Sequence, residues 1–281
     1  MSARLKIFIV LSLFLFSRIT AQTGAHLELV SAMLDSIKKL QTARFKITAL
    51  EKMDNTYLKA VSDIKLQLHP RKIYFINREK KLEILFVDGE NDNKAVVKPH
   101  VFPYVTVLLH PTGNLMRKNQ HYTINELGFD NIGNSIAMAL SKEKEKFTKS
   151  ITYYGKQEKN GSKCHLFVYE AKNFPYTEYV VKPKETVSSI AAKLNLNEYM
   201  IRAKNFLIND FGYLDAGRKL TVPLYYCKKA VVFIDEKTML PISVSVFDDK
   251  ELLESYDFTN VIINQPIDQK EFSRNYKDYH F

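Results

Sequence analysis

The apolar residues of this chain alternate with polar ones over several long stretches, and one short stretch in the middle departs from that period. Phe45, Ile47 and Ala49 show the alternation, which predicts a β-strand with one buried face. Residues 187–194 instead carry apolar side chains at i, i+3, i+4 and i+7, the spacing of one helix face. Strand-like runs resume at residues 230–235. The sequence therefore predicts a strand-rich domain that is interrupted by short helices and then continues.

Two longer helical stretches belong to the strand-rich part of the chain. Residues 29–40 place Val30, Met33 and Ile37 on one apolar stripe, and residues 131–146 are predicted to form a second helix. Antiparallel strands with a single apolar face need a cover on their buried side, and these helices can provide it. The predicted fold class is α+β: a strongly curved, unclosed antiparallel sheet, covered by helices and carrying an inserted β-α-α-β module.

The first 21 residues have the pattern of a secretory signal peptide. Arg4 and Lys6 precede an apolar block at residues 7–16, and Ala21 is a small residue suited to cleavage. The apolar block is too short to cross a bilayer comfortably. We expect a chain that is secreted across the inner membrane into the periplasm and that does not span a membrane.

The formal net charge of +10 suits an anionic surface such as lipid headgroups or an acidic glycan. The lysines and arginines are spread along the chain, without a basic cluster or a known nucleic-acid-binding motif. Nucleic acid is therefore not an expected partner.

The two cysteines, Cys164 and Cys227, lie in segments that are predicted to be strands. An oxidising compartment and an even count favour a disulfide. If the two strands pair in an antiparallel hairpin, however, Cys164 faces a residue near Ile234 and Cys227 a residue near Ala171. The sulfurs would then be about 20 Å apart, which is beyond disulfide reach. Pairing geometry thus favours two free thiols.

The interrupting segment forms a complete small unit in residues 177–223. Thr186 is placed to cap the first helix and Asn197 the second. Asn195 suits the left-handed residue that ends a helix, and Gly217 a turn before the last strand. The unit resembles a LysM domain through ordered matches at Tyr179, Val181, Thr186, Val187, Ile190, Ala191, Asn205, Gly217, Leu220, Val222 and Pro223.

The resemblance to LysM domains implies binding of glycans that contain N-acetylglucosamine, such as peptidoglycan, without a cofactor. Lys184 and Glu185 stand where the family usually has Gly and Asp. This difference leaves open a module that only spaces or docks onto its host. By position, the implied glycan groove consists of Lys182, Pro183, Lys184, Glu185 and Thr186 in the first loop and Ile208, Asn209, Asp210, Phe211 and Gly212 in the second, with Phe211 able to cover a sugar face.

The host resembles an exported bacterial domain family of unknown function that is similar in fold to the LolA/LppX lipoprotein carriers. The resemblance lies in four sequence segments: TARFKITALEKM, ILFVDGENDNKAVVKP, MRKNQHYTINELGF and FIDEKTMLPISVSVFDDKELLESYDFTNVIIN. It implies an unclosed β-barrel able to enclose an acyl chain. The expected organisation is a signal peptide at 1–21, the first part of the β-domain at 22–176, the LysM module at 177–223 and the second part at 224–281.

If the β-domain is a carrier, its inward-facing residues should line a cavity. They could equally pack beneath the two helices, which is the commoner arrangement for such side chains. The cavity candidates are Phe45, Ile47, Ile64, Leu66, Ile84 and Phe86.

Catalytic chemistry has no clear sequence signature here. The seven histidines are not at metal-ligand spacing, and none of the common hydrolase or metalloprotease motifs occurs. Cys164 and His165 are neighbours in a predicted strand, so they point to opposite faces and do not form a dyad. We expect a non-enzymatic protein of the cell envelope that binds peptidoglycan through its LysM module. The alternative is a periplasmic carrier of a lipid or a lipoprotein acyl chain.

Overall fold

The computed structural model describes residues 26–281, apart from the side chain of Glu143. The predicted signal peptide at 1–21 lies outside these residues. The strands are β1 (Thr42–Met53), β2 (Thr56–Gln67), β3 (Lys72–Asn77), β4 (Leu82–Val87), β5 (Ala95–Pro99), β6 (Val107–Leu109), β7 (Ile151–Lys159), β8 (Ser162–Glu170), β9 (Tyr176–Val180), β10 (Lys219–Pro223), β11 (Lys229–Asp235), β12 (Pro241–Phe247) and β13 (Leu252–Ile263). The α-helices are α1 (residues 26–38), α2 (Asn114–Arg117), α3 (Phe129–Ser150), α4 (Val187–Leu194) and α5 (Glu198–Lys204). Short 3₁₀ turns occur at Asn91–Asn93, Ile124–Glu126 and Gln269–Phe272.

Eleven of the strands described between residues 26 and 281 form one antiparallel sheet in the order β6-β5-β4-β3-β2-β1-β13-β12-β11-β8-β7. Its end strands, β6 and β7, do not pair with each other, so the sheet stays unclosed. β9 and β10 form a separate two-stranded sheet. The predicted α+β class with an unclosed antiparallel sheet is confirmed, as are the two long helices, α1 and α3.

The chain leaves the large sheet after β8 and re-enters it at β11, which pairs with β8. In that pairing Cys164 lies opposite Asp235, one residue beyond its expected neighbour. Cys227 lies just before β11, at the other end of the pairing. Both cysteines are buried free thiols, and burial raises the pKa of Cys227 to about 12. The long antiparallel register explains their separation.

The main core lies between the large sheet and helices α1 and α3. Phe129, at the start of α3, packs against Phe45 of β1 and Phe258 of β13, with ring centroids 5.5 and 4.5 Å away. Gly133 allows α3 to lie against α1, because a Cβ atom there would come within 3.0 Å of Ile37. These contacts hold both helices on the sheet by burying apolar side chains, each contributing roughly 1.5–3 kcal/mol.

The segment from 264 to 281 folds back onto the opposite face of the sheet. Ile73 and Tyr74 are adjacent in β3, and they belong to the cores on opposite faces because neighbouring strand residues alternate. The second core combines Tyr74 with Ile267, Phe272 and Tyr279 of this segment. Among residues 26–281, no helix combines the length and hydrophobicity that a bilayer crossing demands.

Candidate functional site

A cavity of about 760 Å³ lies between α3 and the large sheet. That volume falls within the roughly 300–1,000 Å³ of small-molecule ligand sites. Most of its surface is apolar, contributed on the helix side by Ile132, Ile136 and Ala139 and on the sheet side by residues such as Ile47 and Val232. The described part of the chain thus contains an apolar space large enough for a ligand.

Small side chains account for part of this empty space. Ala49 of β1 and Ala60 of β2 are cross-strand partners, and both line the cavity. Ala139 faces them from the α3 side of the cavity wall. Larger aliphatic side chains at these positions would fill the space and give the close packing that is normal for a protein interior. Alanines in a strand that otherwise carries large apolar residues are therefore the sequence signal that could have located the cavity.

The structure corrects most of the cavity residues predicted from the sequence. Ile47 lines the cavity. The other five side chains are buried in the main core and are not part of the cavity wall. These packed residues are Phe45, Ile64, Leu66, Ile84 and Phe86.

A buried polar cluster forms another part of the cavity wall. Glu254 of β13 is 1% exposed and accepts hydrogen bonds from Tyr122 (2.7 Å) and Asn197 (3.3 Å). Its second oxygen lies 2.5 Å from Nδ1 of His121. Nε2 of the same histidine lies 2.8 Å from the carbonyl oxygen of Lys52. Because Asn197 belongs to the module and Glu254 to the host, the cluster joins the two parts.

The protonation states of the cluster follow from its burial and its carboxylates. Burial alone would lower the pKa of His121, but the hydrogen bond and charge of Glu254 outweigh it and raise that pKa. Burial, assisted by the charge of Glu254, raises the pKa values of Tyr122 and Tyr256 well above their ordinary value. The tyrosines are therefore neutral hydrogen-bond donors, and His121 carries a proton shared with Glu254. Both ring nitrogens of His121 have hydrogen-bond partners within the protein, so the histidine has a structural role.

The inserted module has the local structure that its sequence predicts. Thr186 caps α4 by accepting a hydrogen bond from the Ser189 N–H at 3.1 Å. Asn197 caps α5 in the same way, accepting from Met200 at 3.0 Å. Asn195 ends α4 in the left-handed conformation, with φ of 56°. Its core includes three fully buried side chains from α4, α5 and β10, namely Ile190, Ile201 and Leu220.

The first predicted glycan loop divides into an exposed part and an anchored part. Lys182, Pro183 and Lys184 are exposed, and Lys184 has a left-handed φ of 62°, the conformation that glycine adopts easily. The Glu185 carboxylate instead accepts from the Lys182 N–H at 2.8 Å and from the Tyr179 hydroxyl at 2.7 Å. The Lys182 N–H is the main cause of its lowered pKa. Glu185 and the capping residue Thr186 therefore hold the loop in shape.

The second loop is attached more closely to the host. Asn209, Asp210 and Gly212 are exposed. Ile208 is half-buried and packs against a cluster of host and module residues. The Leu214 N–H donates to the Glu185 carbonyl at 2.9 Å, which ties the two loops together.

Phe211, predicted to cover a sugar face, is engaged by arginines. Its ring centroid lies 4.4 Å from Cζ of Arg117 in α2 and 4.7 Å from Cζ of Arg202 in α5. Both arginines are buried, and both pair with Glu198. Cation–π attraction to the ring offsets part of the free energy that burying the two guanidinium groups costs. Phe211 thereby contributes to the contact between the module and the host. The exposed rim of the groove is the part accessible to a ligand.

Metal chemistry finds no support in the described part of the chain. Within residues 26–281, His, Cys, Asp and Glu side chains do not gather in a group of three or more that could hold a metal ion.

Solved structures with similar backbones are remote in sequence. Mycobacterium tuberculosis lipoprotein LppX is 13% identical, with a TM-score of 0.41 over 87% of this chain and 97% of that one. LprF from Mycobacterium bovis is 8% identical, with a TM-score of 0.41 over 85% and 93% of the two chains. A putative outer membrane lipoprotein-sorting protein domain from Vibrio parahaemolyticus is 10% identical, with a TM-score of 0.34 over 89% and 96%. No curated protein matches the sequence.

Two family models match the chain, and they meet at the start of the inserted module. Residues 42–181 match DUF1571, a protein family of unknown function. Residues 179–223 match the LysM domain and cover β9, α4, α5 and β10. The last three strands of the large sheet follow these matched residues. The chain therefore contains a DUF1571 domain followed by a LysM domain.

Proposed function

We propose that this protein is a non-enzymatic, exported binding protein of the cell envelope that holds an apolar chain of a lipid-like ligand in the cavity of its β-domain. The observation that carries the proposal is the cavity of about 760 Å³ with its mostly apolar wall. This cavity favours the carrier function over glycan binding.

Filling the cavity with an apolar chain is favourable because it removes apolar ligand surface from water. Each Å² of apolar ligand surface that leaves water contributes about 25 cal/mol, and an apolar wall such as Ile132, Ile136 and Val232 has no hydrogen bonds to lose. The buried carboxylate on the wall, Glu254, is already hydrogen bonded to His121 and Tyr122. An apolar chain can therefore enter without leaving this carboxylate unpaired.

Filling the cavity with a protein side chain should abolish binding. Ala139→Trp is expected to lower the affinity for a neutral apolar fluorophore, N-phenyl-1-naphthylamine, at least about tenfold because the indole would occupy ligand space. Fluorescence titration of the full chain measures the effect, and mass spectrometry of co-purifying lipid provides a second measurement.

Met138→Trp is the matched control for this experiment. Met138 is the neighbouring residue on α3 and is 38% exposed, outside the cavity wall. Met138→Trp places the same indole ring on the same helix and should leave the titration unchanged. Equal binding by wild type and Ala139→Trp would show that the cavity is not the site.

A second candidate function, glycan binding, is favoured by the LysM match over residues 179–223. Its supporting geometry is the exposed rim formed by Lys182, Pro183 and Lys184 in one loop and Asn209 and Gly212 in the other. We propose that this rim binds a glycan containing N-acetylglucosamine, such as peptidoglycan. Backbone amides in exposed loops suit the acetamido groups of such sugars.

Blocking the rim should reduce glycan binding without unfolding the module. A Cβ atom at Gly212 would meet its nearest neighbour at 3.6 Å, an ordinary contact, so the loop tolerates a side chain there. Gly212→Trp is expected to reduce the fraction of protein that sediments with purified peptidoglycan about tenfold, because the indole would stand between the two loops.

Lys250→Trp is the matched control, since it places the same ring on an exposed turn between β12 and β13 of the host. It should sediment like wild type. If wild type itself stays in solution, or if Gly212→Trp sediments equally well, glycan binding by this rim is excluded.

A further inference from the structure

We infer that the ligand of the cavity is an amphiphile with an anionic headgroup, and that a lysine rim binds this headgroup. The lysine rim consists of Lys142, Lys146, Lys149 and Lys172, all of which are exposed and contribute to the cavity wall. This inference rests on the proposed function of the β-domain and adds the chemical class of the ligand.

The rim is assembled from two elements. Lys142, Lys146 and Lys149 are spaced i, i+4 and i+7 along α3, so they share one face of the helix. Lys172 lies just beyond β8, in the connection that leads to the module. Lys142 also donates to the carbonyl oxygen of Leu194 at 3.0 Å, which places the rim beside the end of α4.

Acidic groups do little to neutralise Lys142, Lys149 and Lys172. Glu145 lies 3.9 Å from Lys149, but both side chains are at least 79% exposed, and such pairs contribute little in water. Of the acidic residues on the cavity wall, Glu126 is engaged by Thr123, Glu51 by Tyr256 and Glu254 by the histidine cluster. These three lysines therefore keep a positive potential at the cavity.

The same acidic residues determine which way the ligand points. Glu51 and Glu254 lie on the wall near Tyr226, and the Tyr226 side chain lies close to Ser135 of α3. Lys142 and Lys149 lie seven and fourteen residues further along the helix, which is roughly 10 and 21 Å at 1.5 Å per residue. An anion would be repelled from the carboxylate end and attracted to the lysine rim.

The wall between the two ends is apolar. Ile136 and Ala139 lie on α3 between Ser135 and Lys142, and both face the cavity. The ligand that fits this arrangement has an apolar chain on the order of 10–20 Å long, as judged from the helix rise. Its anionic end, a carboxylate or a phosphate, lies among the lysines. Both groups share the chemistry that an ammonium cluster recognises, namely a compact negative charge.

Ligands that share a sixteen-carbon chain and differ in their headgroup test the inference on the whole protein. Displacement of N-phenyl-1-naphthylamine is measured with hexadecanoate, hexadecyl phosphate and the neutral hexadecanol. Both anions are expected to bind at least about tenfold more tightly than the alcohol, and added salt should reduce the difference because exposed charges are screened. Inorganic phosphate alone should not displace the probe, because it lacks the chain.

Charge-reversal variants test whether the four lysines of the rim bind the anionic headgroup. The variant with Lys142, Lys146, Lys149 and Lys172 all changed to Glu should bind the anions no better than hexadecanol and should bind hexadecanol as wild type does. A second variant with Gln at the same positions protects against unfolding by the reversed charges. The control variant changes the same number of exposed lysines elsewhere to Glu, at Lys38, Lys237, Lys250 and Lys277.

The outcomes separate this inference from the proposed function. Equal affinity of wild type for hexadecanoate and hexadecanol would overturn the anionic headgroup while preserving the cavity as an apolar site. Loss of selectivity in the control variant, or displacement by inorganic phosphate alone, would equally overturn the lysine rim as headgroup site. Failure of all three amphiphiles to bind would remove the proposed function and this inference with it.

Discussion

Replacing Glu254 with alanine is expected to lower the free energy of unfolding by about 3–5 kcal/mol, because it leaves a buried charge without its partner. His121 carries the proton that Glu254 stabilises, and it is buried against Tyr199, whose ring centroid lies 4.0 Å away. Asn197 and Tyr122 would also lose their acceptor. Urea unfolding followed by circular dichroism measures the change.

The dependence of stability on pH tests the same cluster. Glu254 raises the pKa of folded His121 above its ordinary value of 6.5. A raised folded pKa means that the stabilisation is complete below about pH 6.5 and declines as the pH rises through the folded value. Glu254→Gln should remove this decline. Glu178→Ala is the control, since Glu178 is paired with Lys219 while both are more than half exposed. A loss from Glu254→Ala no larger than that of the control would contradict the buried ion pair.

Tyr279→Ala is expected to lower the free energy of unfolding by about 3–5 kcal/mol, the usual cost of removing a buried aromatic ring. The Tyr279 ring stacks on Tyr74 at a centroid distance of 3.7 Å and an interplanar angle of 3°. Its hydroxyl donates to the Glu271 carbonyl at 2.6 Å and accepts from Lys65 at 3.2 Å. The ring therefore anchors the last segment of the chain to the sheet. Urea unfolding measures this loss as well.

Tyr279→Phe separates the ring from its hydroxyl. It keeps the stack on Tyr74 and removes two hydrogen bonds, so the expected loss is about 1–3 kcal/mol and smaller than that of the alanine variant. If the alanine and phenylalanine variants are equally stable, the ring does not anchor the segment. A lowered midpoint for Tyr279→Ala with an unchanged slope against urea would show a loss of stability without a change in the surface exposed on unfolding.

Local features of this protein were predictable because they depend on neighbours in the chain. Alternation at Phe45 and Ile47 predicts β1, and helical spacing predicts α1 and α3. Thr186 and Asn197 cap α4 and α5 because a side-chain oxygen reaches N–H groups two or three residues ahead. The LysM domain was recognisable for the same reason, since its matches lie in order within a short span.

Wrong or missing predictions involve contacts between distant parts of the chain. Alternation shows that Phe45 faces inward, but only the position of Phe129 on the helix packed above it shows that the space is filled. Phe211 looks like a sugar platform until Arg117, far away in sequence, is placed beside it. The Glu254–His121 pair joins residues separated by 133 positions.

The amino-acid pattern alone thus determines the strands, the helices, their caps and the identity of the inserted module, since hydrophobic period and capping are set within a few residues. Whether the inner face of the sheet is solid or hollow was decided by tertiary structure. A cavity is the volume left over when α3 meets the sheet, and it opens where Ala49, Ala60 and Ala139 face one another. That coincidence of small side chains from three elements exists only after the chain has folded.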